Sequence, residues 1–436
     1  MLDYRFIAEN LELIKENIIQ RGVKADAEAV AKLFAKRTEL STALQKLQQQ
    51  RNVNAASMKG KLEESNRAAL VEEGKKLKES ISAAEAELND TEAVLEREAK
   101  KIPNMAHPDV PAGKEESDNR EIKRFGEPRK FDFEPLDHVK LGQNLDIIDF
   151  DSATKVSGIK FYYLKNEGVF LELGLVRYAL DILQKKGFTP FITPDIAKEE
   201  IVEGIGFNPR GAESNLYTLE GEGTCLVGTA EITLGAYHAN SILAKDQLPL
   251  RMAGISHCFR REAGAAGQFS RGLFRVHQFT KVEMFAVCTP EESERLHEEL
   301  LLIEEEIFCG LGIPFRVMEI CAGDLGAPAY RKWDLEAWMP GRANPSSAGG
   351  DWGEITSTSN CTDYQARRLN VRYKDEDGKN KFVHMLNGTA MAVSRAIVAI
   401  LENFQERDGS VKIPKALVPY CGFELINTPR TKKEKS

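Results

Sequence analysis

The spacing of apolar residues divides the chain into a long helical segment and a later body of shorter elements. Between residues 27 and 101 there is no proline and only one aromatic residue, Phe34, while Ala, Glu, Lys, Leu and Gln, all good helix formers, are abundant. Alternate steps of three and four residues mark a heptad seam in two runs. The first run is Val30, Leu33, Arg37, Leu40, Leu44, Leu47 and Arg51, and the second is Leu70, Gly74, Leu77, Ile81, Ala84, Leu88, Thr91 and Leu95.

This seam predicts two helices that fold back on each other as an antiparallel hairpin over about residues 27–101. The break between the runs contains Ser57, Gly60 and Ser65 and is too short for anything but a turn. About thirty residues per helix, at about 1.5 Å each, give an arm on the order of 45 Å long. The same heptads also suit a dimerising coiled coil or a helix pair packed on the body, and the pattern alone does not separate these alternatives.

The rest of the chain predicts an α+β body. GVFLELGLVRYALDILQKKG has helical spacing and ends at Gly187, before the extended FTPFITP. Strand patterns then dominate, in LPLRMAGISHCFRRE, LFRVHQFTKVEMFAV, PFRVMEI, EAWM, WGEITSTSN and KFVHMLNG. Strands in antiparallel pairs with helices at the edges favour this class over a doubly wound sheet. We expect a helical arm over 1–101, a proline-punctuated linker leading into the core over 102–165, the body over 166–425 and a basic tail over 426–436.

Charge and composition narrow the function. Of 436 residues, 67 are acidic and 59 basic, and the net charge of −8 argues against a general nucleic-acid binder. Residues 27–101, however, hold 14 Lys or Arg against 13 Asp or Glu. The stretch 51–61 carries Arg51, Lys59 and Lys61 with no acid, which predicts either a phosphate-binding tip or an ordinary solvated turn.

The apolar runs are too short for a membrane span, and no signal-peptide profile begins the chain, so we expect a cytoplasmic protein that does not enter membranes. The seven cysteines are scattered singly, which is typical of a reducing compartment. Cysteines and histidines form no zinc-binding spacing. We therefore expect no zinc, and any metal to arrive with a substrate.

A candidate nucleotide site lies in the strand pair around CFRREAG and RGLFRVHQFTKVE. The chain has neither a Walker A loop nor a strand leading into GxGxxG. Strand alternation places Arg260 and Glu262 on one face, and Arg275, His277 and Phe279 together on the returning strand. Guanidinium groups suit phosphate oxygens and an aromatic face can stack on a purine, although a salt-bridged sheet surface would show the same residues.

The same strand pair resembles motif 2 of the class II aminoacyl-tRNA synthetases, and most closely that of the seryl-tRNA synthetase family. LVGTAE resembles the serine-binding loop of that family, and the helix-strand-proline unit at 187–194 resembles motif 1, the dimer element. GEITSTSNCTDYQARRL resembles the strand after the core insertion, and LNGTAMAVSRAIVAILEN resembles motif 3. The hairpin occupies the place of the arm that grips tRNA. This resemblance covers nearly the whole chain and implies a class II catalytic domain, with an antiparallel sheet flanked by helices, at 166–425.

The resemblance implies a homodimeric ligase that joins L-serine and ATP into seryl-adenylate and then transfers serine to tRNA(Ser), and also to tRNA(Sec). Its implied catalytic residues are Arg260, Glu283 and Arg395. Its implied serine-binding residues are Thr229, Ala230, Glu231, Arg260, Glu283, Asn387 and Thr389. Its implied ATP-binding residues are Arg260, Arg261, Glu262, Arg275, Val276, Phe279, Glu354, Ile355, Thr356, Ser357 and Arg395. Glu354 and Ser357 would also hold the Mg²⁺ that accompanies ATP.

In detail, the resemblance places Arg260 between the serine carboxylate and the α-phosphate of ATP. It places Glu262 on the adenine amino group, and the adenine ring between Phe279 and Arg395. It leaves open which glutamate holds the serine ammonium. The chain departs from the family at Gln268-Phe269-Ser270, where a charged stretch is usual, and this puts acceptor-end contacts in question. We expect residues 342–351 to form a surface loop, and residues 430–435 to be either a disordered tail or a tRNA contact.

Two rival hypotheses remain. A synthetase relative that loads a carrier protein would not need a long arm. A coiled-coil interaction protein with an inactive body would not need to retain the charged residues of the motifs.

Overall fold

A computed structural model of the chain describes residues 1–59, 63–208, 214–262, 272–342 and 349–429. These residues belong to two compact units, Met1–Met105 and Ala106–Ser436. The described helices are α1 (Tyr4–Glu9), α2 (Leu11–Gln20), α3 (Ala27–Ser57), α4 (Glu64–Ala99), α5 (His138–Asn144), α6 (Phe150–Ser157), α7 (Glu167–Lys185), α8 (Glu199–Ile205), α9 (Glu231–Gly235), α10 (Ser293–Leu311), α11 (Tyr364–Leu369), α12 (Val393–Asn403) and α13 (Val418–Cys421).

The described strands are β1 (Arg120–Phe125), β2 (Ile148–Asp149), β3 (Tyr163–Leu164), β4 (Thr189–Ile192), β5 (Ile196–Lys198), β6 (Thr218–Leu219), β7 (Thr224–Leu226), β8 (Ile242–Leu243), β9 (Leu250–Phe259), β10 (Gln278–Cys288), β11 (Phe315–Glu319), β12 (Arg331–Met339), β13 (Asp351–Asn360), β14 (Arg372–Lys374), β15 (Asn380–Phe382), β16 (His384–Ala392), β17 (Val411–Lys412) and β18 (Leu425–Ile426).

The first unit is built on an antiparallel pair of long helices. α3 begins after Asp26, whose side chain accepts a hydrogen bond from the backbone N–H of Ala29 and so caps the helix. Cross-helix ion pairs join Arg37 to Glu92 at 2.9 Å, near one end, while the contact between Asn54 and Glu73 lies near the other. The pairing of early with late residues fixes the antiparallel direction. The predicted two-helix hairpin is confirmed.

The heptad seam holds along most of this hairpin and shifts near its turn. Val30, Ile81 and Leu95 are fully or almost fully buried, as the periodicity predicts. Arg51 instead is exposed, and Asn54, one heptad step further, is buried and donates to Glu73 at 3.2 Å. A short amide can stay in the helix interface with its hydrogen bond satisfied, whereas the long guanidinium side chain remains in water.

The second unit is organised around an eight-stranded sheet. Its strand order is β1-β11-β12-β13-β16-β10-β9-β4, and every neighbouring pair is antiparallel except β4 and β9, which are parallel. One face packs on α7, α10 and α12 through a large apolar core. The other face carries a smaller core that involves α8, α9 and α11. The part of that face outside this core carries polar and charged side chains, including Glu283 and Glu354, and is called the cleft below. The predicted α+β class is confirmed.

Two parts of this unit differ from the sequence-based expectation. Residues 102–165 are more than a linker, because they contain β1 at the edge of the main sheet as well as α5 and α6. β1 is exposed along its whole length and therefore lacks the alternation that reveals a strand. The strand predicted in LFRVHQFTKVEMFAV begins only at Gln278, because the backbone N–H groups of Leu273 and His277 before it donate to His138 and to the carbonyl oxygen of Lys160 instead of to a neighbouring strand.

Among the described helices, none is long and apolar enough to cross a membrane.

Candidate active site

One ladder of the main sheet brings most of the predicted amino-acid site onto a single face. Antiparallel register sets Glu283 of β10 opposite Gly254 of β9 and Thr389 of β16. Residues directly opposite each other share a face, as do residues two apart on one strand. Phe279 and Lys281 therefore lie on the same face as Glu283. This face forms the floor of the cleft.

A loop before α9 closes one end of the cleft floor. Thr229 is buried and its Oγ1 donates to Glu283 Oε2 at 3.2 Å, while the backbone N–H of Glu231 donates to that Oγ1 at 3.2 Å. Ala230, also buried, precedes the first turn of α9. Lys281 forms an ion pair with Glu283. The result is a polar corner in which Glu283 already has a cation.

Glu231 is the second carboxylate of this corner, and its partners are amides instead of cations. Its Oε1 accepts from Gln365 Nε2 at 2.8 Å and from Asn387 Nδ2 at 3.0 Å. Burial, and after it the nearby Glu283, raise the pKa of Glu231 to about 7. A positively charged ligand group would stabilise the ionised form of Glu231. The corner is thus suited to a small molecule that carries an ammonium group.

Arg260 lies between this corner and the rest of the cleft. It follows the last residue of β9, and its Nε donates to the carbonyl oxygen of Gly228 at 3.3 Å. Its guanidinium carbon is 5.3 Å from the ring centroid of Phe279. Its charge lowers the pKa of both Glu231 and Glu354, which lie on the two sides of the cleft. One guanidinium therefore acts on both halves of the site.

Glu262 and Arg275 lie outside the regular strands that the prediction assumed, although the two residues do come together. Glu262 lies beyond the end of β9 and has a φ of 48°, an uncommon conformation for a residue other than glycine. Arg275 Nη1 is 3.8 Å from Glu262 Oε2, and Val276 beside it is buried. Arg261 is exposed. The irregular backbone, and not strand alternation, determines the directions of these side chains.

Arg395, in the first turn of α12, contacts β13 of the sheet. Its Nη1 is 3.1 Å from Glu354 Oε1 and donates to the Glu354 carbonyl oxygen at 2.9 Å. Its guanidinium carbon is 4.8 Å from the ring centroid of Phe274, and that of Arg342 is also 4.8 Å from the same centroid. Arg395 therefore adds a cation on the side of the cleft opposite the polar corner.

A bulge in β13 allows Glu354 and Ser357 to share a face. Residues three apart on a regular strand point to opposite faces. Here the register shifts, so that Glu354 pairs with Glu336 and Ser357 pairs with Asp334. Because those two partners are two apart on β12, both predicted Mg²⁺ ligands face the cleft.

The surroundings of these two oxygen ligands fit a hard cation. Burial by itself raises the pKa of Glu354, but Arg395, Lys332 and Arg260 outweigh it and hold that pKa below its usual range. Asp334 Oδ1 is buried and has no hydrogen-bond partner within the ranges that the structure describes. Ionised carboxylate and hydroxyl oxygens are the donors that Mg²⁺ prefers.

The side chains of Ile355 and Thr356, in contrast, face away from the cleft. Ile355 is part of the large apolar core, and Thr356 Oγ1 donates to Glu304 Oε2 at 2.8 Å. Burial raises the pKa of Glu304 well above its usual value. These contacts hold the bulged residues from behind the sheet, so their side chains do not line the cleft.

Four residues of the cleft were not predicted from the sequence. Lys281 could have been found, because it lies two positions before Glu283 in the same strand alternation. Gln365 belongs to a segment that matched the family, but nothing in its spacing reveals that it reaches Glu231. Phe274 and Asp334 carry no sequence signal. The predicted Gln268-Phe269-Ser270 loop, Lys61 at the tip, the centre of the 342–351 loop and the tail at 430–435 lie outside the described residues.

Comparisons with known proteins identify the same two parts of the chain. The family profile described as the seryl-tRNA synthetase N-terminal domain matches residues 1–106. The profile of the tRNA synthetase class II core domain (G, H, P, S and T) matches residues 217–404. The second unit therefore has the class II synthetase core.

Full-length relatives are more specific. The serine–tRNA ligase of Treponema denticola is 68% identical over 98% of this chain and 100% of its own, and that of Borreliella burgdorferi is 55% identical over 98% and 99%. The crystal structure of seryl-tRNA synthetase from Pyrococcus horikoshii complexed with ATP has a TM-score of 0.88 at 40% identity, covering 98% of this chain and 100% of that one. The cytoplasmic serine–tRNA ligase of Naegleria fowleri in complex with AMP has a TM-score of 0.85 at 33% identity, covering 98% and 99%.

The chain belongs to the seryl-tRNA synthetase family. The resemblance found in the motifs is thereby confirmed, together with the assignment to the serine–tRNA ligases.

The Thr356–Glu304 contact behind the bulge can be tested with Thr356→Val. The isosteric valine leaves a buried carboxyl without its donor, which should lower the free energy of unfolding by about 1–3 kcal/mol. The KM for ATP should rise more than that for the amino acid, because Glu354 and Ser357 flank the altered position. Thermal unfolding and steady-state kinetics measure both effects. Thr218→Val, at an exposed position of β6, serves as the control and should change neither quantity.

Proposed function

We propose that the protein is a serine–tRNA ligase that forms seryl-adenylate and pyrophosphate from L-serine and ATP and then transfers the seryl group to tRNA(Ser). The observation that carries this proposal is the position of Arg260 between a polar corner with two carboxylates and a second side of the cleft lined by Arg395 and Glu354. Membership of the family supports the choice of serine among amino acids.

In the first step, a serine carboxylate oxygen attacks the α-phosphorus of ATP and pyrophosphate leaves. Two anions must approach each other, so a cation shared between them lowers their repulsion and stabilises the charge that develops on the phosphate oxygens. Arg260 has this role in the proposal, because its guanidinium already acts on carboxylates of both sides. Positioning and charge stabilisation then replace a side-chain nucleophile.

Serine is proposed to bind in the polar corner with its ammonium toward Glu231, Glu283 and Thr229. Thr389, which is opposite Glu283 in the sheet register, and Asn387 then lie toward the hydroxyl. A small buried site excludes larger amino acids by volume. Alanine would leave the partners of the hydroxyl unsatisfied, which penalises its binding.

ATP is proposed to lie across the remaining cleft, with Glu262 at the adenine amino group and Phe279 and Arg395 on the two faces of the ring. Arg275 then reaches the outer phosphates. Mg²⁺ bound with ATP would be held by Glu354 and Ser357, whose shared face follows from the bulge. When bound, the ion neutralises phosphate charge and favours the departure of pyrophosphate.

The arm is proposed to bind tRNA. Its exposed cations include Arg51, Lys59, Arg67, Lys75 and Lys76, which would contact backbone phosphates. These contacts supply affinity without requiring a basic protein overall. Family membership also supports charging of tRNA(Sec) with serine, and this part of the proposal rests on the family alone.

A homodimer in the cytoplasm completes the proposal. Large apolar side chains remain exposed on α7 and on β4, which belongs to the unit that resembles motif 1, and exposed apolar surface is typical of a protein interface. They include Val169 at 39%, Phe170 at 56% and Leu173 at 60% exposure on the helix, and Ile192 at 88% on β4. None of the seven cysteines, all of which lie in the described ranges, forms a disulfide, as a reducing compartment favours.

The proposed activity is tested by ATP–pyrophosphate exchange with each amino acid in turn, followed by charging of purified tRNA(Ser). Exchange should depend on serine. Arg260→Ala should reduce it by at least about a hundredfold, since an electrostatic contact made in the transition state is lost.

Arg295→Ala removes an exposed arginine of α10 and is the matched control, with exchange near the wild-type rate. Exchange supported only by another amino acid would contradict the serine assignment. Adenylation without tRNA charging would instead indicate a carrier-loading enzyme.

The raised pKa of Glu231 predicts how serine use depends on pH. The ionised carboxylate attracts the ammonium group, and with a pKa of about 7 it becomes protonated as the pH falls. The kcat/KM for serine should therefore fall below pH 7, approaching tenfold per unit, while the KM for ATP changes little. Exchange kinetics from about pH 6 to about pH 8.5 measure this profile. Glu231→Gln should lower kcat/KM for serine and remove most of its fall at acid pH, the acid limb of the profile. An unchanged acid limb in that variant would assign the titration to another group.

The proposed dimer is tested with Leu173→Asp, which places a charge within the exposed apolar surface of α7. The variant should sediment as a monomer at concentrations where the wild type sediments as a dimer, because burying an unpaired carboxylate is costly. Leu302→Asp, at an equally exposed leucine of α10, should leave the dimer intact. Equal dissociation of both variants would place the interface elsewhere.

A further inference from the structure

Gln365 is a fully buried side chain that reaches the amino-acid corner from α11. Its Nε2 donates to Glu231 Oε1 at 2.8 Å and to the carbonyl oxygen of Ile205, the last residue of α8, at 3.1 Å. The carbonyls of a final helical turn lack partners within their helix. One amide nitrogen therefore connects the end of α8 to a carboxylate of the site.

The orientation of this amide is set by its surroundings. Both neighbours of Nε2 are acceptors, so a flipped side chain would place its carbonyl oxygen against two other oxygens. The Gln365 Oε1 atom is buried and has no hydrogen-bond partner in the described part of the chain. The residue thus leaves one acceptor unsatisfied in order to present its donor to Glu231.

The two amides around Glu231 make its carboxylate asymmetric. Oε1 accepts from Gln365 and from Asn387 of β16, so donors from two separate elements fix this oxygen. Across the described ranges, no hydrogen bond reaches Oε2. The second oxygen is therefore the one available to a ligand, and its direction is determined by what holds the first.

The charged groups around Glu231 belong chiefly to β10 and to the end of β9. Glu283 of β10 is the nearby like charge, Lys281 is ion-paired with Glu283, and Arg260 lies beyond the end of β9. α11 and β16 contribute neutral amides. Burial and Glu283 raise the pKa of Glu231, while the hydrogen bond from Gln365 opposes them. Loss of that donor would favour the protonated form, which cannot attract an ammonium group.

We propose that Gln365 is a positioning residue for serine, which orients the Glu231 carboxylate by a hydrogen bond that Asn387 alone does not replace. This inference rests on the proposed function, because it assigns a role within the same amino-acid site. Gln365 acts through Glu231 and does not itself contact the substrate.

The test uses Gln365→Met, which keeps the length of the side chain and removes its donor, and Gln365→Leu, which also removes the donor and likewise adds no charge. Gln365→Met should raise the KM for serine about tenfold or more, with the KM for ATP within about twofold, since a hydrogen bond to a charged group is lost. The acid limb of kcat/KM for serine should move to higher pH in both variants. If Gln365 only supported the end of α8, its replacement would leave the acid limb of kcat/KM for serine unchanged.

Gln405→Met is the matched control, because Gln405 is also buried and its Nε2 donates to two backbone carbonyls, those of Leu136 and Glu402. It should lower thermal stability without a selective change in the KM for serine or in the acid limb. If Gln365→Met fails to fold, Gln365→Leu supplies the same two readouts. Unchanged serine kinetics and pH profile in a folded Gln365 variant would overturn the inference. Absence of serine-dependent exchange in the wild type would instead contradict the proposed function.

Discussion

The register of β10 against β9 and β16 is the constraint on which the rest of the site depends. A slip of one residue would turn Glu283 away from the cleft and replace it with Met284, which is fully buried on the helix-covered side. The slip is opposed because α7, α10 and α12 bury a continuous apolar surface on that side. The free energy of burying this core, at about 25 cal/mol per Å², therefore also holds the polar residues in place. The apolar core residues and the polar site residues alternate along the same strands, so neither set can change register without the other.

The site also uses two departures from regular strand geometry. The bulge in β13 brings Glu354 and Ser357 to one face, and the register between β10 and β16 shifts at Val282 and Glu283. A strict period of two would separate Glu354 from Ser357, so the bulge in β13 is needed to bring these two groups to one face. The contact of Thr356 with Glu304 fixes the first bulge from behind the sheet. The bulge in β13 is thus held in place by a hydrogen bond within the core.

This distinction explains what the sequence could predict. The heptad seam and the α+β class depend on local periodicity, and they were predicted correctly except near the hairpin turn, where Asn54 and not Arg51 is buried. The motifs were found by their resemblance to a family. Glu262 and Arg275 fall outside the regular strands that the prediction assumed, because the chain leaves regular geometry there, whereas Arg260 still pairs with His277 and lies beside Phe279. Gln365 was missed for a different reason. Its role arises from a tertiary contact across 134 positions in sequence, for which no local pattern exists.

The polar corner follows a simple electrostatic logic. Two buried carboxylates, Glu231 and Glu283, would repel each other strongly if both were ionised without partners. Lys281 neutralises Glu283, whereas Glu231 receives only neutral amides. The corner therefore lacks one positive charge, and an amino acid supplies it through its ammonium group while its carboxylate can approach Arg260. The chain as a whole also has more acidic than basic residues, so positive charge is scarce there too. In an acidic protein, the few arginines of the cleft and the cations of the arm determine where an anionic substrate binds.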